Sequence, residues 1–149
     1  MKVVADTGPL VAAANRRDHA HGLAAALVTQ LGRDLLVPDP VLVEVDQLLR
    51  TRVSAQAARL FLHAVAIGEH TVAFLSPGLL RRAVEIDARF ADLDLGLADT
   101  AVMACAERHD APILTFDFAD FCAAPPPTGY WRLIVDEARY ADATQSRPT

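Results

Sequence analysis

Short apolar runs alternate along the chain with longer stretches whose apolar positions recur every three or four residues. The short runs, KVVA at 2–5, DLLVPD at 34–39, TVAFL at 71–75 and PILTF at 112–116, read as strands. Between them lie helical patterns. A Thr7-Gly8-Pro9 turn leads into residues 10–15; Leu23, Leu27 and Leu31 stand four apart in a helix over 23–31 that Gly32 closes. Pro40 fits the first turn of a helix over 40–50, with Val41, Val45, Leu48 and Leu49 on its apolar face. A further helix over 54–67 ends at Gly68, and Ser76-Pro77 supplies an N-cap and a first helical residue for one reaching Arg89. Residues 91–99 read as an Asp-rich loop, with Asp99 beginning a helix through His109. WRLIV at 131–135 reads as an edge strand, residues 1–140 as one domain, and the polar residues 141–149 as a disordered tail.

Strands alternating with helices imply an α/β sandwich with a mostly parallel central sheet. In such sheets the functional crevice lies beyond the carboxyl ends of the strands. Composition agrees with one ordinary domain: 149 residues, 52 % of them hydrophobic, can bury a core. No apolar run approaches the roughly 20 residues that cross a bilayer, and Asp6 breaks the N-terminal run before it resembles a leader. The chain therefore reads as soluble and cytoplasmic. Cys105 and Cys122 read as buried free thiols, since no neighbouring Cys or His completes a metal-binding spacing. The net charge of −5 opposes a broad nucleic-acid footprint, although a local rim of arginine suffices for phosphate contacts. Lys2 is the one lysine.

The acidic residues change the picture most. Asp6 directly follows the first strand and Asp117 the fourth, so adjacent parallel strands would deliver both to one crevice. Glu44 lies one turn into the helix after the second strand, and Asp99 opens the helix that leads into the fourth. Singly, each has an ordinary explanation: a turn residue, a solvated helix position, an N-cap, an Asx-turn. Jointly they repel, and such a cluster calls for a cation. Oxygen donors without Cys or His select Mg²⁺, with Mn²⁺ as an alternative. A divalent ion in a carboxylate pocket points to phosphodiester hydrolysis.

These same segments carry a resemblance. VVADTGPLVA, VLVEVDQLL and DLDLGLADTAVMACAERHDAPILTFDFADF are similar to the successive motifs of PIN-domain proteins, over about residues 2–122. Their combination resembles the VapC toxins of type II toxin–antitoxin systems, particularly those of actinobacteria. The resemblance implies a PIN-like three-layer α/β/α sandwich and a metal-dependent endoribonuclease that cleaves tRNA or ribosomal RNA and inhibits translation and growth. Asp6 and Asp99 become the principal metal ligands, Glu44 the third acid and Asp117 the fourth, acting through water, with Asp120 auxiliary. Thr7 and Thr115 would support the pocket, while Asp92 and Asp94 compete with Asp99 for its role. The partners implied are RNA, a VapB-like antitoxin and a second copy of the chain, in a heterotetramer or larger complex, away from membranes. A catalytically silent PIN-like binding module and a hydrolase of small phosphoesters are the rival readings.

Other features carry less. His19 and His21 lack a third ligand and read as a surface loop, which with Arg16 and Arg17 is placed to touch phosphates. Ser54 and Ser76 have no base beside them. Arg81 and Arg82 read as a solvated helix face, and Tyr130 and Trp131 as sheet-edge packing with the chemistry to stack on bases.

Overall fold

A computed structural model describes residues 1–145. Four parallel strands form its sheet: β1 (Val3–Ala5), β2 (Leu35–Pro38), β3 (Thr71–Ala73) and β4 (Ile113–Leu114), in the order β3-β2-β1-β4. Successive crossovers move outward from β1 to β3, and the chain then returns to place β4 on the other side of β1. The direction of winding thus reverses at the β1–β4 junction, where an open parallel sheet leaves a crevice. In register, Ala5 pairs with Leu114 and Val4 with Leu36, so the residues after β1 and β4 emerge level.

Every residue of β1 and β2 is buried. Successive strand side chains point to opposite faces, so both faces must be covered. The cover comes from α1 (Thr7–Ala14), α2 (His21–Leu31), α3 (Asp39–Arg52), α4 (Ala55–Ala66), α5 (Pro77–Arg89) and α6 (Gly96–His109). The α6 segment from Thr100 to Ala106 is buried residue after residue, because the helix lies between α5, α3 and the sheet. Val3 and Val4 are fully buried, each contributing on the order of 1.5–3 kcal/mol. The strand that carries Asp6 is thereby a rigid support.

Several sequence expectations shift. The first helix starts at Thr7, not Leu10, because Asp6 caps it by accepting from the Thr7 N–H. The second starts at His21, whose Nδ1 lies 2.9 Å from the Ala12 carbonyl oxygen. The 91–99 loop contains a 3-10 turn (Ala91–Leu93), and α6 begins at Gly96, so Asp99 sits in its first turn instead of starting it. The cause is a pair of positive φ angles, 50° at Asp94 and 83° at Gly96, which swing the chain into helix three residues early. WRLIV forms no strand. It makes one parallel bridge, Leu133 to Ile113, with Ile113 N–H donating to Arg132 and Ile134 N–H to Ile113. The Ala111 N–H, next in line on that side, is taken by the Ala106 carbonyl, which ends the ladder there.

Two short helices complete the fold: α7 (Phe118–Ala123), which Asp117 caps, and α8 (Glu137–Gln145). The latter overturns the disordered reading for 141–145; the remainder of that tail, 146–149, lies outside the described residues. Tyr140 anchors α8 against Phe116, ring centroids 4.7 Å apart, and Phe118, at 5.6 Å, while its hydroxyl meets His19 Nε2 at 3.2 Å. Arg82 is not simply solvated: its guanidinium grips Glu107 of α6 in a two-pronged ion pair at 2.7 and 2.9 Å, and this raises its pKa. Both cysteines are free, but only Cys105 is buried; Cys122 is on the outer side of α7.

Candidate active site

Asp6 leaves β1 at the crevice and is only 4 % exposed. Its two carboxylate oxygens are occupied: Oδ1 accepts the Thr7 N–H at 2.8 Å, and Oδ2 accepts the Thr115 hydroxyl at 2.7 Å. Thr115, fully buried after β4, also accepts the Asp117 N–H at 2.9 Å. Asp117 in turn caps α7 by accepting the Asp120 N–H at 3.1 Å. On the other side the Thr7 hydroxyl donates to Glu44 Oε2 at 3.3 Å. One hydrogen-bonded chain therefore runs Glu44–Thr7–Asp6–Thr115–Asp117–Asp120. Two threonines space the acids and fix their angles.

Asp99 enters from the first turn of α6, where the positive end of the helix favours an anion. Carboxylate oxygens of Asp99, Asp117 and Asp120 lie within 4.8 Å of one another. This trio is the tightest acidic group among the described residues, and it includes Asp120, which the sequence marked only as auxiliary. Its signal was the three-residue spacing to Asp117: one helical turn aligns them. Asp6 and Glu44 border the trio and act on it electrostatically. Asp92 and Asp94 are exposed on the 3-10 turn and stand outside it.

The electrostatics state the cost of this arrangement. Burial raises the Asp6 pKa, partly offset by the Thr115 and Thr7 hydrogen bonds, and the charges of Asp117 and Glu44 push it further up. Asp99 is pushed up to about 7, by burial first and then by the charges of Asp6, Asp117, Asp120 and Glu44. Asp120 moves upward too, from burial and from Asp117 beside it. All five acids thus feel one another. Without a cation, Asp6, Asp99 and Asp120 keep their protons to higher pH than a free carboxyl does.

The donor set answers which group would relieve that strain. Three carboxylates at mutual ligand distance, a fourth buried and already aimed by two hydrogen bonds, and no sulfur or imidazole among them fit a hard divalent cation. The class of protein is set by a parallel α/β sandwich with a carboxylate cluster at its topological switch point.

Comparison with known proteins supplies the family. The PIN domain family matches residues 3–125, and the chain belongs to it. Ribonuclease VapC26 of Mycobacterium tuberculosis is 28 % identical over 128 residues, covering 85 % of this chain and 95 % of that protein. Among solved structures, the M. tuberculosis toxin VapC20, described as cleaving the sarcin-ricin loop, superposes with a TM-score of 0.71 at 22 % identity, covering 79 % of this chain and 92 % of that one. VapBC2 of Rickettsia felis, solved bound to a DNA fragment from its promoter, gives 0.61 at 16 % identity, covering 84 % and 94 %.

Proposed function

We propose that the chain is the toxin of a type II toxin–antitoxin pair, a divalent-metal-dependent endoribonuclease whose substrate is a structured RNA such as tRNA or ribosomal RNA. The observation that carries this reading is the hydrogen-bonded run of acids at the β1–β4 switch point, together with membership of the PIN family. The similarity to a ribonuclease over 85 % of the chain supports RNA as substrate. Asp99, Asp117 and Asp120 hold the ion, with Asp6 and Glu44 completing its surroundings. When bound, Mg²⁺ or Mn²⁺ supplies positive charge against the scissile phosphate and acidifies a water molecule.

The chain's own residues do the rest. Thr115 and Thr7 keep Asp6 and Glu44 from rotating away, so the acids meet the ion without reorganising. Glu44, partly exposed on α3, is placed to take a proton from water at the crevice mouth. The gathered acids argue against a silent binding module, which has no need of five neighbouring carboxylates.

An acidic pocket attracts a basic segment, so a VapB-like antitoxin would direct arginine toward it; the chain would act as a homodimer within that complex. Controlled expression tests the reading. Induction alone should halt growth and create new RNA 5′ ends at one or a few sites, and co-expression of the antitoxin should restore growth. Arrest without new RNA ends would contradict it.

A further inference from the structure

The five acids do not rest on equal supports. Asp6 follows the fully buried β1, and Glu44 and Asp99 ride on helices of 14 residues each. Asp117 and Asp120 have less beneath them. β4 ends at Leu114, and α7 has 6 residues, too few to hold a helix by itself. Thr115 pins one end of this segment through its hydrogen bonds, and buried Phe121 pins the other. Between them, Asp117 stands flanked by two half-buried rings, Phe116 and Phe118.

Tyr140 of α8 touches both rings, with centroids 4.7 Å from Phe116 and 5.6 Å from Phe118. One side chain thus bridges the two neighbours of an acid in the site. It is itself held from behind. Its hydroxyl meets His19 Nε2 at 3.2 Å, and its ring packs with Phe116 on the small cluster of Ala12, Ala20 and Ala24. The loop that carries His19 is fixed in turn by the Ala20 N–H, which donates to Asp18 Oδ1 at 2.8 Å. Asp136 sets the start of α8, its side chain accepting the Arg139 N–H at 2.7 Å and its carbonyl the Tyr140 N–H at 3.0 Å. α8 buries none of its residues, so it adds little to the core. Its aromatic contacts fall instead on the residues either side of Asp117.

We propose that Tyr140 is a positioning residue for the metal centre. By clamping Phe116 and Phe118 it holds the turn from Asp117 to Asp120, and so keeps the oxygens of these two acids within 4.8 Å of Asp99, at the spacing one divalent cation needs. The inference rests on the metal-dependent reading above and extends it to a helix remote in sequence from every acid. The clamp is made by the ring, which touches the phenylalanines; the hydroxyl faces away, toward His19.

Calorimetric titration of the full chain with Mn²⁺, without RNA, and amide exchange of the metal-free protein test this. Tyr140→Ala should weaken Mn²⁺ binding about tenfold. It should also speed exchange of the Asp117 and Asp120 amides, which donate to Thr115 Oγ1 and Asp117 Oδ1. Tyr140→Phe keeps the ring and should restore both to within about twofold of wild type. Val65→Ala, a buried truncation in the last turn of α4, lowers stability without touching the clamp and should bind Mn²⁺ as wild type does. Unchanged Mn²⁺ affinity in Tyr140→Ala, or faster exchange confined to 137–145, overturns the clamp while leaving the metal centre intact. An equal loss of affinity in Val65→Ala overturns it too, since general stability would then account for the effect. Wild type that takes up no Mn²⁺ removes the metal centre, and the clamp with it.

Discussion

Thr115 connects the two strands that make the site. Its hydroxyl donates to Asp6 and accepts from the Asp117 backbone, so removing it unties an acid from β1 and another from β4 at once. Thr115→Val keeps the shape and deletes the hydroxyl. It should reduce RNA cleavage by about 10–100-fold through weaker metal binding, visible as a higher metal concentration for half-maximal rate. The raised acids give a second expectation. Asp99 titrates near 7 in the folded chain against 3.8 for the free side chain, so its protonated form favours folding. That contribution is complete below about pH 4 and is lost as pH rises through 7; burial shifts Asp6 and Asp120 in the same direction. Metal-free protein should therefore melt lower at pH 8 than at pH 5, and Mg²⁺ or Mn²⁺ should raise the melting temperature more at pH 8. Equal stabilisation at both pH values would separate the ion from these carboxylates. Asp6 and Asp117 were legible in the sequence because an acid after an apolar strand has one place to go in a parallel sheet. The position of Asp120 beside Asp99 and Asp117 was harder to read, because it depends on α7, a six-residue helix too short for its apolar period to show.

At the scale of elements, strands β1 and β2 and the helices with a clear apolar face were legible, since burial on one stripe or two faces writes itself into the spacing. Elements held by single contacts were not. The α8 segment is mostly polar and buries none of its residues, so nothing in its pattern announces a helix. It is held by Tyr140 on Phe116 and Phe118, residues more than twenty positions away. Removing that ring should free the helix: Tyr140→Ala is expected to lower unfolding free energy by about 1–2 kcal/mol in denaturant titration. The loss should be visible as faster amide exchange in 137–145. WRLIV has the composition of a strand, yet the Ala111 N–H is spent on the Ala106 carbonyl and the chain turns into α8, which limits it to one bridge. The start of α6 could not be placed from sequence either, because it depends on a left-handed Asp94 as well as on Gly96.

At the scale of the molecule, a chain of negative net charge meets a polyanionic substrate in the proposed reaction. The proposed site reconciles the two: Asp6, Glu44, Asp99, Asp117 and Asp120 gather at the β1–β4 crevice, where a divalent ion would offset their charge. No described helix is long and apolar enough to cross a membrane. The topology explains why the acids come from residues 6, 44, 99, 117 and 120: reversing the winding at β1 brings both halves of the chain to a single sheet end. The central claim is that these carboxylates, loaded with a divalent ion, cut RNA. Purified wild-type chain and Asp99→Asn should be incubated with total RNA in 5 mM-range Mg²⁺, on the order of the concentration that saturates carboxylate sites of this kind, and in EDTA, with cleavage mapped at nucleotide resolution. Wild type should cut at defined positions with the ion and not with EDTA, and Asp99→Asn should lose on the order of a hundredfold or more of that rate while melting cooperatively. Defined cleavage that persists in EDTA, or survives at full rate in Asp99→Asn, would contradict the account.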